Sequence, residues 1–235
     1  MNIIQLIEDP NLINDQSLSS AQKMALKAVY GLPLEKRELG IFYQTTGLQE
    51  YSPREWDEAS FILGRRSGKS DKLASNIALY EACIREHNFS KGELGVVMLV
   101  SSELRRQSRI LYSYILRKLQ DSPFLSKLID SVTAEEITLT NGVIIQVYPC
   151  NVARIRGASL IAFIVLSTLS LVFTVVPPTI IPSESFRAFA NLLISSSDRS
   201  SPDSPIGSIK PKCNFFLPLS FFFKSMPFFK LSLQG

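Results

Sequence analysis

Histidine, tryptophan and cysteine are scarce in this chain. Its 235 residues include one His, one Trp and three Cys. Cys83, Cys150 and Cys213 form no CxxC pair and are odd in number, so a disulfide framework is not expected and a reducing cytosol is the expected compartment. One His with scattered Cys does not make a usual zinc site, and His87 reads as a solvated residue near a helix end. A strong charge of either sign is also lacking. The net charge of +4 is too weak to argue for nucleic-acid binding, which needs a clustered basic surface. The N-terminus has no basic segment ahead of an apolar one and carries Glu8 and Asp9, so no signal peptide is expected.

What is present is unevenly spread. The chain is 46% hydrophobic and 20% charged, enough apolar content for a sizeable core. Residues 1–159 hold 18 of the 21 acidic residues, all seven Tyr and the only Trp. Residues 160–235 hold three acids (Glu184, Asp198 and Asp203), 11 of the 15 Phe and eight of the 13 Pro. Globular domains rarely change vocabulary so sharply. The expected division is therefore a folded unit over 1–166 and an aberrant Ser/Pro/Phe-rich tail over 167–235. No settled period runs through that tail, and its prolines interrupt any long helix or strand, so it is expected to be irregular or disordered.

Within the first part, hydrophobic period assigns the elements. Residues 17–30 read as a short helix capped by Ser19 or Ser20 and stopped by Gly31-Leu32-Pro33. Residues 34–54 read as irregular. EASFIL (58–63) suits a buried strand entering a turn at Gly64, and 69–85 has a helical period with Leu73, Ile77, Tyr80 and Ile84 on one face. GVVMLVS (95–101) reads as a strand buried on both faces. Residues 103–120 are helical, with Leu104, Ser108, Leu111, Ile115 and Leu119 on one stripe and Arg105, Arg106, Arg109, Arg117 and Lys118 largely elsewhere. Asn141-Gly142 between apolar runs signals a hairpin, and LIAFIVL (160–166) is a third buried strand. The order predicts an α/β fold, a mainly parallel sheet with flanking helices.

The chemistry starts at Gly64-Arg65-Arg66-Ser67-Gly68-Lys69-Ser70, between a predicted strand and a predicted helix. Backbone N–H groups of such a turn can converge on a phosphate, and the helix N-terminus adds a favourable dipole. Lys69 would reach the β- and γ-phosphates, the Ser70 hydroxyl would coordinate Mg²⁺, and Gly68 allows close backbone approach. The full consensus GxxxxGK[ST] would put its first Gly at position 63, which is Leu63, so this is a deviant loop.

A G-R-x-x-G-K-[ST] loop preceded by a Gln-containing helix resembles the deviant Walker A of phage terminase large subunits. VMLVSSELRRQSRILYSYI is similar to that family's second strand and following helix. DSPFLSKLID and EEITLTNGVIIQVYPC are similar to the segment ahead of its second Walker strand, and ARIRGASLIAFIVL to the Arg-Gly approach to Walker B. The resemblance spans about residues 10–166. It implies an incomplete RecA-like P-loop ATPase that drives DNA into procapsids, with ATP and Mg²⁺ as cofactors. Double-stranded DNA, a terminase small subunit and a portal would be its partners, in a bacterial host cytoplasm. By position, Gly64 to Ser70 would bind nucleotide, and Ser70 would hold the metal. Arg65 or Arg66 would act near the γ-phosphate. Gln22 would contact adenine or, equally, be a solvated helix residue. The basic positions from Arg105 to Lys118 would meet DNA or form a charged solvated face.

The chain departs from that family at Walker B. The strand should end in Asp-Glu, the Asp supporting Mg²⁺ and the Glu orienting the attacking water. Here 160–166 is followed by Ser167-Thr168, and no acidic residue occurs between Glu136 and Glu184. The expectation is a disrupted reading frame near Leu166, with the later ATPase elements and the nuclease domain missing and hydrolysis defective. A rival reading takes the uncharged run 158–181 as a membrane span behind Arg154 and Arg156. A third is a helicase-type P-loop ATPase, which would need the same Asp-Glu.

Overall fold

The computed structural model describes residues 1–56, 58–63, 66–87, 93–101, 105–148, 159–166 and 170–175. The N-terminal region is helical: α1 (Ile3–Glu8), α2 (Ser20–Val29) and α3 (Lys36–Thr46). In α2 the Ser19 hydroxyl accepts from the Gln22 backbone N–H while the Gln22 side chain accepts from the Ser19 N–H, a reciprocal cap. The same pattern, Glu35 with Glu38, opens α3, and Gly47 closes it with a left-handed φ of 73°. Residues 34–54 were expected to be irregular; α3 corrects this. Its cap uses Glu rather than the usual Ser, Thr or Asp, and Gly40 dilutes its helical pattern.

β1 (Glu58–Ile62) leads through the loop into a helical rod over 69–84. The rod is π-helical at Lys69–Ala74, α-helical at Ser75–Leu79 (α4) and π-helical again at Tyr80–Ile84. β2 (Gly95–Ser101) and α5 (Arg105–Asp121) follow, then a 3₁₀ turn at Leu125–Leu128 and the strands β3 (Ile129–Val132), β4 (Glu136–Leu139), β5 (Val143–Tyr148), β6 (Ser159–Leu166) and β7 (Ser170–Val175).

Among the described residues these strands form one sheet in the order β1-β7-β6-β2-β5-β4-β3. β2 pairs parallel with both β5 and β6; the other four pairings are antiparallel. The α/β class with flanking helices stands, but the sheet is mixed rather than mainly parallel. The physical reason is connection length. Parallel neighbours need a crossover of a dozen or more residues, whereas β6 to β7 is bridged by residues 167–169 and β4 to β5 by the turn around Asn141-Gly142, where Gly142 has φ 83°. Such short links can only build hairpins. β7 lies beyond residue 166 and pairs on both edges, with β1 and with β6. The rest of the proposed tail lies outside the described residues.

β2 is buried from Gly95 to Val100. Val97 and Leu99 join the helix-side core, and Val96, Met98 and Val100 are buried as well. In β6 a register shift lets Ile161 and Ala162, consecutive residues, both enter that core. The stripe Ser108, Leu111, Ile115 and Leu119 of α5 is buried as its period predicts. No helix among the described residues is long and apolar enough to cross a membrane, and within 158–181 the described residues are strands.

Candidate functional site

The register puts the carboxyl ends of four strands on one edge of the sheet. Ile62 pairs with Ser170, Leu166 with Leu171 and Ser101, and Val100 with Tyr148. The ends of β1, β2, β5 and β6 therefore lie level, and the loop after β1 emerges there. Ligands of open α/β sheets bind outside such an edge.

Gly64 and Arg65 lie outside the described residues. The rest of the loop does not. Arg66 is exposed and left-handed, with φ 63°, and Gly68 has φ 78°. Left-handed residues inside a turn are one way in which successive backbone N–H groups come to face a common anion. Gly68 is required twice over. Its φ favours glycine, and a Cβ there would sit 2.9 Å from Gln22 Nε2 and 2.9 Å from Lys72 Cγ. Ser67 Oγ is buried and has no hydrogen-bond partner among the described residues. Lys69 and Ser70 are half-buried and open the rod.

Gln22 is buried, and both ends of its amide are engaged. Oε1 accepts from the Ser19 N–H at 2.9 Å, and Nε2 donates to the Ser67 carbonyl at 2.9 Å. The residue expected to meet adenine or solvent thus ties α2 to the loop. Its amide keeps a second Nε2 hydrogen beyond that bond.

Two lysines that the sequence did not single out for the loop clamp the turn behind it. Lys72 Nζ donates to Asp15 Oδ2 at 2.6 Å and to Ser17 Oγ at 2.7 Å. Burial pushes the Asp15 carboxyl up, but Lys72 and the Ser17 hydrogen bonds outweigh it and hold the pKa at about 2. Lys72 responds in kind: burial lowers it, and Asp15 and Asp71 more than reverse this. The only local signal was Asp15-x-Ser17, whose Ser17 N–H bonds Asp15 Oδ1 at 3.0 Å, as short Asp turns do.

Lys118 belongs neither to a solvated face nor to an exposed basic patch. Its Nζ, mostly buried, donates to the Asp71 carbonyl, to Ser75 Oγ at 2.8 Å and to Asn76 Oδ1 at 2.8 Å, and pairs with Asp71 Oδ1 at 3.2 Å. Burial lowers its pKa, and Asp71 opposes that. The π geometry follows from these contacts. Ser75 Oγ bonds the Asp71 carbonyl and Asn76 Nδ2 bonds the Lys72 carbonyl at 2.8 Å, so side chains take acceptors that an α-helix gives to N–H groups. The Ser75 N–H reaches back five residues to the Ser70 carbonyl instead. Arg109 and Arg117, by contrast, are exposed and paired with Glu135 and Asp121. Of Arg105 and Arg106 only the backbone is described, and Ser167 and Thr168 lie outside the described residues.

The far end of the rod carries a second buried polar group. Glu81 Oε1 accepts from Tyr30 Oη at 2.8 Å and lies 3.5 Å from Arg85 Nη1, while Oε2 has no partner among the described residues. Burial raises the Glu81 pKa against the opposing pull of Arg85 and Tyr30. His87, expected to be solvated, is half-buried, and its Nε2 lies 2.7 Å from the Glu81 carbonyl; burial lowers its pKa.

No protein-family model matches the chain, and no curated protein matches it. Among the described residues no group of three or more His, Cys, Asp or Glu is placed to hold a metal ion.

Proposed function

We propose that this chain is a nucleotide-binding domain of the terminase large-subunit type, which takes ATP with Mg²⁺ at the turn between β1 and the rod and binds ATP far better than it hydrolyses it. The observation that carries this reading is the sequence GRRSGKS, whose GKS opens the rod at the carboxyl edge of β1, β2, β5 and β6. The residues present fit a phosphate. The turn has left-handed backbone at Arg66 and Gly68, and Ser67 Oγ is a buried hydroxyl in want of a partner. Lys69 would supply the point charge, Ser70 a hydroxyl for the metal, and exposed Arg66 or its neighbour Arg65 a further cation beside the outermost phosphate. When bound, Mg²⁺ neutralises phosphate charge and polarises the transferring group. By resemblance alone, the wider role would be DNA packaging with a portal, a small subunit and double-stranded DNA.

Hydrolysis needs more than this turn. The positions after β6 are Ser167 and Thr168, whose neutral hydroxyls are poor bases, and no carboxylate falls between Glu136 and Glu184. A water-positioning carboxylate is worth about 10²–10⁴-fold in rate, so steady-state phosphate release should lie near background. Robust turnover abolished by Lys69→Ala would overturn this half of the reading. The binding half is tested by calorimetric titration of ATP into the full chain and into Lys69→Ala. Losing a charge-assisted phosphate contact should weaken binding by about 1.5–3 kcal/mol; equal affinities would remove the assignment.

A further inference from the structure

Lys118 stands on α5, 47 residues from the Asp71 carbonyl that it bonds, and α5 is the helix that follows β2. Its three ammonium hydrogens are matched by three acceptors, the Asp71 carbonyl, Ser75 Oγ and Asn76 Oδ1, and the Asp71 carboxylate adds a charge partner. Asp71 directly follows Ser70 in the chain. Ser75, whose hydroxyl Lys118 holds, donates its own N–H to the Ser70 carbonyl. Two groups that Lys118 holds thus flank the Ser70 carbonyl, while Lys72, a neighbouring ammonium, is occupied by Asp15 and Ser17. A buried ammonium is an expensive way to fill space, and an apolar side chain of similar length would do so at lower desolvation cost.

We infer that Lys118 is a positioning residue for the phosphate-binding turn: by holding the first turn of the rod in its widened π form, it sets where the Ser70 hydroxyl stands for a metal-bound nucleotide. The inference rests on the nucleotide reading above. It assigns to α5 the part of a mechanical link, through which any shift of that helix is felt at Ser70.

Two measurements on the full chain test it. Without nucleotide, hydrogen exchange of the amides from Lys69 to Ser75 should be faster in Lys118→Met than in wild type, and partly slowed again in Lys118→Arg, which keeps the charge. ATP affinity is then measured with Mg²⁺ and with EDTA. Removing the partner of a metal-binding group typically costs 10–100-fold in affinity, so Lys118→Met should lose about ten-fold or more of the increment that Mg²⁺ adds, with the EDTA affinity changed much less. If Lys118→Met does not fold, Ser75→Ala, which deletes one hydroxyl of the same network, carries the test with a smaller loss in the same direction. An undiminished Mg²⁺ increment in a folded variant would overturn the inference and leave the nucleotide reading intact. A wild-type chain that binds no ATP would overturn the nucleotide reading itself, and the positioning role with it.

Discussion

At its first turn the rod over 69–84 carries Asp71 and Lys72, and at its last turn Glu81, with Arg85 just beyond its end. Both turns are π-helical, and both bury charge against other elements. They satisfy it differently. Around the first turn Lys72 and Lys118 each have a carboxylate: Lys72 meets Asp15, Lys118 meets Asp71, and the Ser17, Ser75 and Asn76 oxygens receive further ammonium hydrogens. Around the last turn the carboxylate is the excess partner. Arg85 is shared between Glu55 at 2.9 Å and Glu81 at 3.5 Å, and Glu81 Oε2 is left without a hydrogen bond among the described residues. The consequence is opposite pH behaviour. Asp15 is held ionised well below its ordinary range, whereas the Glu81 carboxyl is pushed toward its neutral form. A turn built to stay charged sits beside Ser67 and Gly68, and a turn that favours a neutral acid sits at the other end of the rod.

The largest break in this comparison should come from Lys118→Met. It removes a mostly buried ammonium, leaves Asn76 Oδ1 without its donor and the Asp71 carboxylate with Lys72 alone, and breaking such a buried charged network costs about 3 kcal/mol or more. Urea unfolding at pH 7 measures it. A loss no larger than that of an exposed pair such as Arg117 with Asp121 would mean that the first turn is not tied through α5.

Next is Asp15→Asn. The folded carboxyl titrates at about 2 against an ordinary 3.8, and each unit is worth about 1.4 kcal/mol, so the ionised pair contributes on the order of 2 kcal/mol at pH 7. The sign is that of a depressed acid. The stability is fully present above pH 3.8 and is lost as the pH falls through about 2. The wild-type margin over Asp15→Asn should therefore shrink across that window and stay level above it. A margin already flat across that range would remove the Lys72 pair as its source.

The smallest effect is expected at Glu81→Gln, and it is a slope rather than an offset. A raised acid contributes stability below its ordinary 4.5 that is lost as the pH rises through its folded value. The balance between the two chains should move in favour of Gln as the pH rises above 4.5. Thermal melts across pH 4–8 would show it; parallel curves would mean that the Glu81 carboxyl titrates alike in the folded and unfolded chains.

Much of the scaffold was legible because period and turn chemistry are local. The run 58–63, the helical stripe from Leu73 to Ile77, the buried strand 95–101, the α5 stripe and the Asn141-Gly142 hairpin all appear where residue spacing puts them. β7 was not legible. SLVFTV lies in a stretch with alien composition, and a short apolar run becomes a strand only when edges are available, here those of β1 and β6. Its placement also explains why the sheet is mixed.

The site divides the same way. By itself the sequence determined that a turn carrying Gly68, Lys69 and Ser70 lies between a strand and a helical rod, because these residues are contiguous and follow an apolar run. It also determined the lack of a carboxylate directly after β6, where Ser167 and Thr168 stand, since a residue type is readable without coordinates. Only the tertiary structure decided what holds the turn. Gln22 meets Ser67 across 45 residues, Lys72 meets Asp15 across 57, and Lys118 meets Asp71 across 47. A lysine's long stem lets its charge serve an exposed helix face or a buried acceptor equally well. Which one it serves depends on where α5 packs, and that is set by the burial of Leu111, Ile115 and Leu119 together, not by anything written next to Lys118.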